Sequence, residues 1–311
     1  MILANQSARI AIIGAGHVGA TAAYALMLRA LVSEIVLIDS DVGRAEAEAA
    51  DIADANALAR PARIWAGSYA DAATATVAVI TAGAATHGKE SRLSVLAHSA
   101  SIMEQCVEKL ISAGFEGIIL VAANPVDITA HIAFRQSGLP PIRVIGTGTL
   151  LDSSRLRQAL ATKLAVAPGA VEGLILGEHG DSEVAVFSTV RIGGVTLENF
   201  GQHPDKVALA KDVREAAYKI IAGKGYTSFG VATAIIRICE AIIRNECVVL
   251  PVSTLLTGEF GISDVFLSLP CILGAGGVER ILLPALSATE ISALQRSADV
   301  IRKAMASLEA L

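Results

Sequence analysis

The sequence predicts an α/β fold in which a doubly wound parallel sheet is followed by a mixed α+β domain. Short apolar runs rich in β-branched residues alternate with helical stretches through the first half of the chain, as in parallel sheets covered by helices on both faces. After residue 147 this alternation stops and long helices dominate. With 311 residues, 53% of them hydrophobic, the chain can fill two cores. We assign residues 1–147 to the first domain and 148–311 to the second.

The predicted elements follow one another with short connections. In the first half, strands are predicted over 9–13, 34–39, 76–81, 117–122 and 144–146, and helices over 18–31, 43–59, 93–113 and 126–136. In the second half, helices are predicted over 151–164, 205–222, 228–244 and 289–308, with strand-like segments over 171–176 and 184–192 and a hairpin-like region over 248–273. The segment 184–192 runs into a Gly193–Gly194 turn. This mixture predicts a second domain packed against the first.

Charge and composition exclude several classes of partner. The 30 acidic and 25 basic residues give a net charge of -5, which provides no cationic field for nucleic acid. No apolar run is long enough for a transmembrane helix, and the first nine residues are too short and too polar for a signal peptide. We expect a cytoplasmic protein without a membrane partner or a metal site. Its four cysteines have apolar neighbours and no C-x-x-C spacing, which predicts reduced core thiols: Cys106, Cys239, Cys247 and Cys271.

A glycine-rich turn joins the first predicted strand to the first helix. It reads Gly14-Ala15-Gly16-His17-Val18-Gly19, the G-x-G-x-x-G pattern of Rossmann-type dinucleotide-binding domains. The first glycine permits the tight turn, the second lets a pyrophosphate approach the backbone, and the third lets the helix pack on the strand. We expect cofactor contacts from Gly14, Gly16, His17, Val18 and Gly19 at the positive end of the helix dipole.

The second predicted strand ends in Asp39, 20 residues after Gly19. A carboxylate at this spacing can bind the ribose hydroxyls of the adenosine and would repel a 2′-phosphate. The pattern therefore predicts NAD, and not NADP, as the cofactor.

Polar side chains with catalytic chemistry follow other strand ends. His179 lies in the turn Gly177–Ser182, where an imidazole can exchange a proton near neutral pH. Asp152 and Arg155 are three residues apart after a glycine-rich turn, so they share one face of a helix. Taken singly, these residues also fit a loop histidine with only a hydrogen-bonding role and a surface ion pair.

Two further segments have the composition of ligand-binding loops. Residues 82–92 (A-G-A-A-T-H-G-K-E-S-R) are small and polar and end in Arg92 at a predicted helix start, which is typical of a mobile lid. Asn124 follows the strand 117–122 and has an amide free to bind a ligand. A solvated connection is the other interpretation of the first segment.

Together these motifs resemble the L-lactate/malate dehydrogenase family, and within it the bacterial L-lactate dehydrogenases. The resemblance covers nearly the whole chain, in the order G-A-G-H-V-G, A-G-A…E-S-R-L, N-P-V-D-I, G-T-x-L-D-S-S-R-L-R, G-E-H-G-D-S, G-K-G-Y-T-S and V-F-L-S-L-P-C-I-L-G. It implies reversible hydride transfer between NAD and C2 of a small L-2-hydroxy acid, with L-lactate and pyruvate as the leading pair.

The resemblance also implies a role for each site residue. His179 would exchange the substrate proton, Asp152 would fix its tautomer, Arg155 would bind the substrate carboxylate, and Arg92 would polarise the C2 oxygen. The remaining positions implied are those of the cofactor and pocket wall: Gly83, Ala84 and Asn124 at the cofactor, and Asn124, Thr227 and Thr86 at the substrate.

Thr86 departs from the family pattern. By the resemblance, pyruvate-selective members have glutamine at this position and malate members have arginine. Threonine offers no cation for a second carboxylate and leaves space for a longer side chain. A broader L-2-hydroxy acid dehydrogenase, similar to the hydroxyisocaproate enzymes, therefore stays open, and so does a malate dehydrogenase in which His87 or Lys89 supplies the charge. A non-catalytic dinucleotide-binding protein is the alternative from another class, but it has no need for the four catalytic residues.

Subunit contacts form a second point of comparison. The resemblance implies a homodimer or homotetramer, and in many bacterial members an arginine and a histidine bind fructose 1,6-bisphosphate between subunits. Arg157 matches the arginine, but Glu172 stands at the histidine position. Since a carboxylate repels phosphate, we expect activation by this sugar bisphosphate to be weak or absent.

Overall fold

The computed structural model describes residues 8–59, 61–84 and 92–310, with only the backbone of Arg92. Its strands are β1 (Arg9–Ile13), β2 (Glu34–Ile38), β3 (Arg63–Ala66), β4 (Val77–Ile80), β5 (Ile118–Val121), β6 (Val144–Gly146), β7 (Val171–Leu176), β8 (Val184–Ile192), β9 (Val195–Thr196), β10 (Val248–Thr257), β11 (Ser263–Gly274) and β12 (Gly277–Ile281). Its helices are α1 (His17–Arg29), α2 (Val42–Asn56), α3 (Tyr69–Ala72), α4 (Arg92–Ser112), α5 (Val126–Ser137), α6 (Leu150–Leu164), α7 (Lys206–Lys224), α8 (Phe229–Ile243) and α9 (Ala288–Glu309).

The main sheet of the described chain has the strand order β12-β11-β10-β6-β5-β4-β1-β2-β3. Strands β1 to β6 are parallel to one another, as the alternating pattern predicted. In β1, Ile10 and Ile12 enter one apolar core, whereas Ala11 and Ile13 enter a second core on the opposite face. A sheet buried on both faces needs apolar residues at every position, which explains the continuous apolar runs. The predicted α/β class is confirmed.

The hairpin of β10 and β11 differs from the expected arrangement. We placed it within the second domain, but it extends the first sheet, with Ser253 opposite Gly146. Without this partner β6 would be an edge strand with unpaired backbone groups in an apolar environment. The hairpin satisfies those groups, so one sheet crosses the boundary at residue 147. That boundary stays a prediction.

A smaller antiparallel sheet, β7-β8-β9, lies in the second half. With α6 and α7 it encloses its own apolar core, which includes Leu156, Leu160, Val171 and Val190. Gly193 and Gly194 have φ angles of 55° and 85° and form the turn after β8 at the predicted place. Positive φ at both positions favours glycine in a tight hairpin.

Some short elements escaped sequence analysis. Strand β3 reads R-I-W-A and lies at the edge of the sheet with no fully buried residue, so it has no apolar run to reveal it.

The expectation of four core thiols was wrong for Cys247. That residue is exposed, whereas the other three cysteines are buried, and its Sγ lies 3.7 Å from a carboxylate oxygen of Glu279. Apolar neighbours in sequence misled the prediction because the chain turns to the surface between α8 and β10.

Candidate active site

The glycine-rich turn lies between β1 and α1 and is closely packed on one side. Gly14 has a φ of 106°, and a Cβ atom there would meet the Ala82 backbone nitrogen at 2.6 Å. A Cβ atom on Gly19 would overlap the carbonyl oxygen of Gly14. Both positions therefore require glycine, for the turn and for the close approach of helix to strand, as predicted.

The other side of the turn is open. No atom of the described residues lies within 4 Å of the position that a Cβ of Gly16 would occupy. Gly16 is also the N-cap of α1 and makes no side-chain capping bond, so the first N–H groups of the helix can bind an anion. This backbone surface fits the pyrophosphate of a dinucleotide.

Asp39 lies directly beside the turn. One carboxylate oxygen accepts a hydrogen bond of 2.6 Å from the Ala15 backbone N–H, and the other accepts one of 2.9 Å from that of Asp41. Each oxygen of an ionised carboxylate can accept a further bond, and Asp39 forms no ion pair with the described residues. The position therefore fits ribose hydroxyl groups and disfavours an added phosphate.

The carboxylate of Asp152 joins the two other central side chains. Its Oδ2 lies 2.5 Å from Nδ1 of His179, and its Oδ1 accepts a 2.8 Å hydrogen bond from Nη1 of Arg155. The Asp152 side chain is only 3% exposed, while those of Arg155 and His179 are 18% and 26% exposed. The described residues provide no hydrogen bond to Nε2 of His179 or to the other guanidinium nitrogens. These groups are therefore available to a ligand.

Hydrogen bonds join the start of α6 to β7. The strand β7 leads into the turn Gly177–Ser182, which contains His179 and which we call the histidine turn. The Thr149 hydroxyl donates to the Ile175 carbonyl oxygen at 2.6 Å, and the Ile175 N–H donates to the Ser153 hydroxyl at 2.9 Å. These buried bonds fix helix and strand to each other, so Asp152 on the helix faces His179 just beyond the strand. The i,i+3 spacing that sequence analysis read as one helix face places Arg155 on the same carboxylate.

Opposite charges shift the two pKa values apart. Burial alone would lower the pKa of His179, but the Asp152 carboxylate and its hydrogen bond raise it to about 9. Burial would raise the pKa of Asp152, yet His179 and Arg155 lower it overall. The pair is thus an imidazolium and a carboxylate around neutral pH.

Asp127 holds the histidine turn from behind, and sequence analysis gave it no role. Its Oδ2 accepts a 2.7 Å bond from the His179 backbone N–H, and its Oδ1 accepts a 2.6 Å bond from the Ser253 hydroxyl. Burial raises the pKa of Asp127 to about 6, although these bonds oppose the shift. Its place just inside α5, after a strand end, was the available signal.

Two other residues near the turn were also missed. The Ser297 hydroxyl, on α9, accepts a 2.8 Å bond from the Glu178 N–H. Glu183 is 8% exposed and one of its oxygens has no partner among the described residues. Burial and the Asp152 charge raise its pKa to about 8. Neither residue belongs to a short motif whose chemistry is evident from sequence.

One small cavity brings most of the predicted site together. It has a volume of about 140 Å³ and its walls include Val18, Asn124, Arg155, His179 and Thr227. Larger cavities exist, such as one of about 480 Å³ between α4, α5 and α9, but they contain no comparable group of catalytic side chains. The cavity therefore lies between His179 and the glycine-rich turn of residues 14–19, which we call the cofactor turn.

The predicted lid is only partly described. Gly83 follows β4, and a Cβ there would lie 3.3 Å from the Cβ of Ala123, so the ends of β4 and β5 are close together. Ala84 ends the described segment. The backbone of Arg92 begins α4, while Thr86, His87 and Lys89 lie outside the described residues.

The described ranges contain neither a cluster of metal-ligating side chains nor a membrane-spanning helix. No group of three or more histidine, cysteine or acidic side chains there could hold a metal ion. No helix there is long and apolar enough to cross a membrane.

Comparisons with known proteins agree with this arrangement. Residues 8–146 match the lactate/malate dehydrogenase NAD-binding domain, and residues 149–311 match the lactate/malate dehydrogenase alpha/beta C-terminal domain. The L-lactate dehydrogenase of Thermus aquaticus is 42% identical over 307 residues, covering 96% of this chain and 99% of that protein.

Solved structures of lactate dehydrogenases are also similar to this chain over nearly its whole length. A lactate dehydrogenase from a Medee basin deep-sea metagenome library superimposes with a TM-score of 0.95 at 37% identity, covering 98% of this chain and 99% of that one. The minor L-lactate dehydrogenase of Enterococcus mundtii, in its ligands-bound form, gives a TM-score of 0.94 at 38% identity, covering 99% of both chains. The chain therefore belongs to the lactate/malate dehydrogenase family.

Proposed function

We propose that this chain is an NAD-dependent L-lactate dehydrogenase, which interconverts L-lactate and pyruvate. The observation that carries the proposal is the shared carboxylate of Asp152, which binds both His179 and Arg155 at the cavity that Val18 of the cofactor turn also lines. A proton-transfer group and a carboxylate-binding group thus lie beside the cofactor turn. Membership of the family and its L-lactate dehydrogenase relatives support the same reaction.

His179 acts as the acid and base at the C2 oxygen. In pyruvate reduction its Nε2–H donates a proton to the developing alkoxide, and in lactate oxidation the neutral imidazole removes the hydroxyl proton. Asp152 holds Nδ1 and stabilises the imidazolium. The nicotinamide ring of bound NAD(H) supplies or accepts the hydride.

Other residues orient the substrate. The guanidinium of Arg155 keeps donors that no described residue uses, and these make a bidentate contact with the substrate carboxylate. Asn124 and Thr227 lie in the cavity wall. Asn124 binds near the C2 oxygen of the substrate, and Thr227 lines the substrate pocket. By the family resemblance, Arg92, at the start of α4, polarises the C2 oxygen.

The size of the substrate side chain that the enzyme accepts depends on Thr86. We propose pyruvate as the preferred 2-oxo acid, because threonine provides no cation for the second carboxylate of oxaloacetate. A broader range of L-2-hydroxy acids is the competing proposal, since a short side chain leaves room in the pocket.

A substrate panel tests the proposed function directly. We would measure kcat/KM with NADH for pyruvate, oxaloacetate, 2-oxobutyrate and 2-oxoisocaproate, and we expect pyruvate to be the best. A preference for the longer acids would instead identify a broad-range enzyme, and a preference for oxaloacetate would identify a malate dehydrogenase. No NADH oxidation with any 2-oxo acid would contradict the proposal.

We also propose that the protein is a cytoplasmic homodimer or homotetramer. Large apolar side chains on the surface of the described chain, such as Tyr24, Leu28 and Leu58, are 44%, 56% and 95% exposed. Burying such side chains between subunits is favourable. Light scattering coupled to size-exclusion chromatography distinguishes a dimer or tetramer from a monomer of 32.0 kDa.

A further inference from the structure

A pair of stacked rings connects the cofactor turn to the segment that carries Thr227. The His17 imidazole lies parallel to the Tyr226 ring, with 3.9 Å between their centroids and 9° between their planes. His17 is the first residue of α1, whereas Tyr226 lies between α7 and α8. Residues 209 positions apart in the chain therefore share one contact surface at the rim of the site.

The rest of this segment has few other attachments. Neither Tyr226 nor Thr227 makes a hydrogen bond with any other described residue. Lys224, at the end of α7, places its Nζ 4.4 Å from the Tyr226 ring centroid and 4.1 Å from that of Phe229. Tyr226 is therefore held by rings and a cation, through contacts with His17 on one side and Lys224 on another.

Each stacked ring is next in sequence to a residue of the cavity wall. Val18 follows His17, Thr227 follows Tyr226, and both Val18 and Thr227 line the cavity that contains His179. A contact that fixes the distance between the two rings also fixes the distance between these two wall residues. The stack thus acts on the pocket without touching the reacting atoms.

We propose that the stacked rings of His17 and Tyr226 form a clasp that positions Thr227 against the cofactor turn and sets the width of the substrate pocket. His17 and Tyr226 are then positioning residues that determine specificity. The inference rests on the proposed function, because it concerns the pocket in which the 2-oxo acid binds.

A double-mutant cycle tests the clasp. We would compare the unsubstituted protein with His17→Ala, Tyr226→Ala and the double variant, using pyruvate and 2-oxoisocaproate at saturating NADH. An aromatic stack contributes about three- to tenfold in an equilibrium constant. We expect each single variant to raise the KM for pyruvate by about that factor, to change kcat less than about twofold, and to reduce the preference for pyruvate. The double variant should resemble the single ones.

Conservative variants separate positioning from general damage. His17→Phe and Tyr226→Phe keep a ring to stack and should restore the KM for pyruvate to within about twofold of the original value. His203→Ala, an exposed histidine outside the site, is the matched control and should change nothing. Additive effects in the cycle, unchanged KM in Tyr226→Ala, or a loss in His17→Phe equal to that in His17→Ala would each overturn the clasp.

A binding measurement distinguishes this inference from the proposed function. If the unsubstituted protein reduces no 2-oxo acid, the proposed function fails, but NADH affinity can still be measured by fluorescence titration. Tyr226 lies outside the cofactor turn, so Tyr226→Ala can act on NADH binding only by removing the ring that holds His17 in place. We expect this variant to weaken NADH binding by about threefold. No change in NADH affinity, together with an unchanged KM wherever activity exists, overturns the clasp alone.

Discussion

The cofactor turn follows β1, a parallel strand inside the main sheet, and the histidine turn follows β7, an edge strand of the antiparallel sheet, and the two turns are built in opposite ways. The turn from Gly14 to Gly19 uses backbone groups from six consecutive residues, and contacts within a few ångströms require glycine at its two ends, Gly14 and Gly19. The turn around His179 depends on side chains from elsewhere in the chain, namely Asp127, Asp152 and Ser297. A site made from local backbone is readable in a single motif, whereas a site made from distant side chains requires the fold.

Loss of the histidine should cause the largest effect, because it removes the chemistry that the assembled site performs. We expect His179→Gln to lower kcat for pyruvate reduction by about 10³- to 10⁴-fold, the upper range for acid–base catalysis. NADH affinity should stay within about twofold, since the cofactor turn is intact. Steady-state kinetics and NADH titration measure both quantities. A loss of less than tenfold in kcat would mean that another group transfers the proton.

Arg155→Lys should affect substrate binding next most strongly. A lysine keeps the charge but cannot make two parallel hydrogen bonds to a carboxylate. The lost bond to a charged group is worth about 1.5 to 3 kcal/mol, or roughly 10- to 150-fold, and we expect it mainly as a higher KM for pyruvate. Arg296→Lys, on α9 away from the cavity, is the control. Unchanged KM in Arg155→Lys would exclude the carboxylate contact.

The pH profile tests the coupling between Asp152 and His179. Reduction needs the protonated imidazole, so kcat/KM should be constant below the pKa of His179, about 9, and fall tenfold per pH unit above it. Asp152→Asn removes the charge that raises this pKa, so the fall should begin at least about one unit lower. The comparison requires that chemistry limits the rate, which an isotope effect with deuterated NADH establishes. Identical midpoints in the two proteins would contradict the coupling.

The two glycines of the cofactor turn should respond differently to alanine. In Gly19→Ala the new methyl overlaps the Gly14 carbonyl, so we expect the free energy of unfolding to fall by about 1 to 3 kcal/mol. In Gly16→Ala the methyl enters open space, so stability should be kept while the Kd for NADH rises about tenfold. Thermal unfolding and NADH titration separate these outcomes. Gly43→Ala, in α2, serves as the control that should weaken neither.

The smallest expected effect is that of fructose 1,6-bisphosphate. Glu172 lies on the exposed face of β7 opposite Arg191, and the Arg157 guanidinium is directed to the Ser153 carbonyl oxygen at 3.3 Å. A carboxylate in this region opposes a phosphate. We expect the KM for pyruvate to change less than about twofold on adding the sugar bisphosphate. A large decrease would show that Glu172 does not prevent binding, and Glu172→His would then have little further effect.

The strands and helices could be predicted from the sequence more completely than the contacts between them. The parallel strands were evident because burial on both faces leaves a continuous apolar run. Strand β3 was not, since an edge position tolerates charge. Asp39 and the glycines could be placed by spacing alone, whereas Asp127 could not. Its carboxylate meets the His179 backbone only because the start of α5 and the turn after β7 converge in space, and no local pattern encodes that convergence.

The pairing of β10 with β6 has a consequence for synthesis of the chain. Gly146 finds its partner in Ser253, which leaves the ribosome more than a hundred residues later. Until then the emerging first half presents an apolar strand edge with no neighbour, and such edges promote association with other chains. We therefore expect the unfinished chain to be prone to aggregation midway through translation, before β10 can pair with β6.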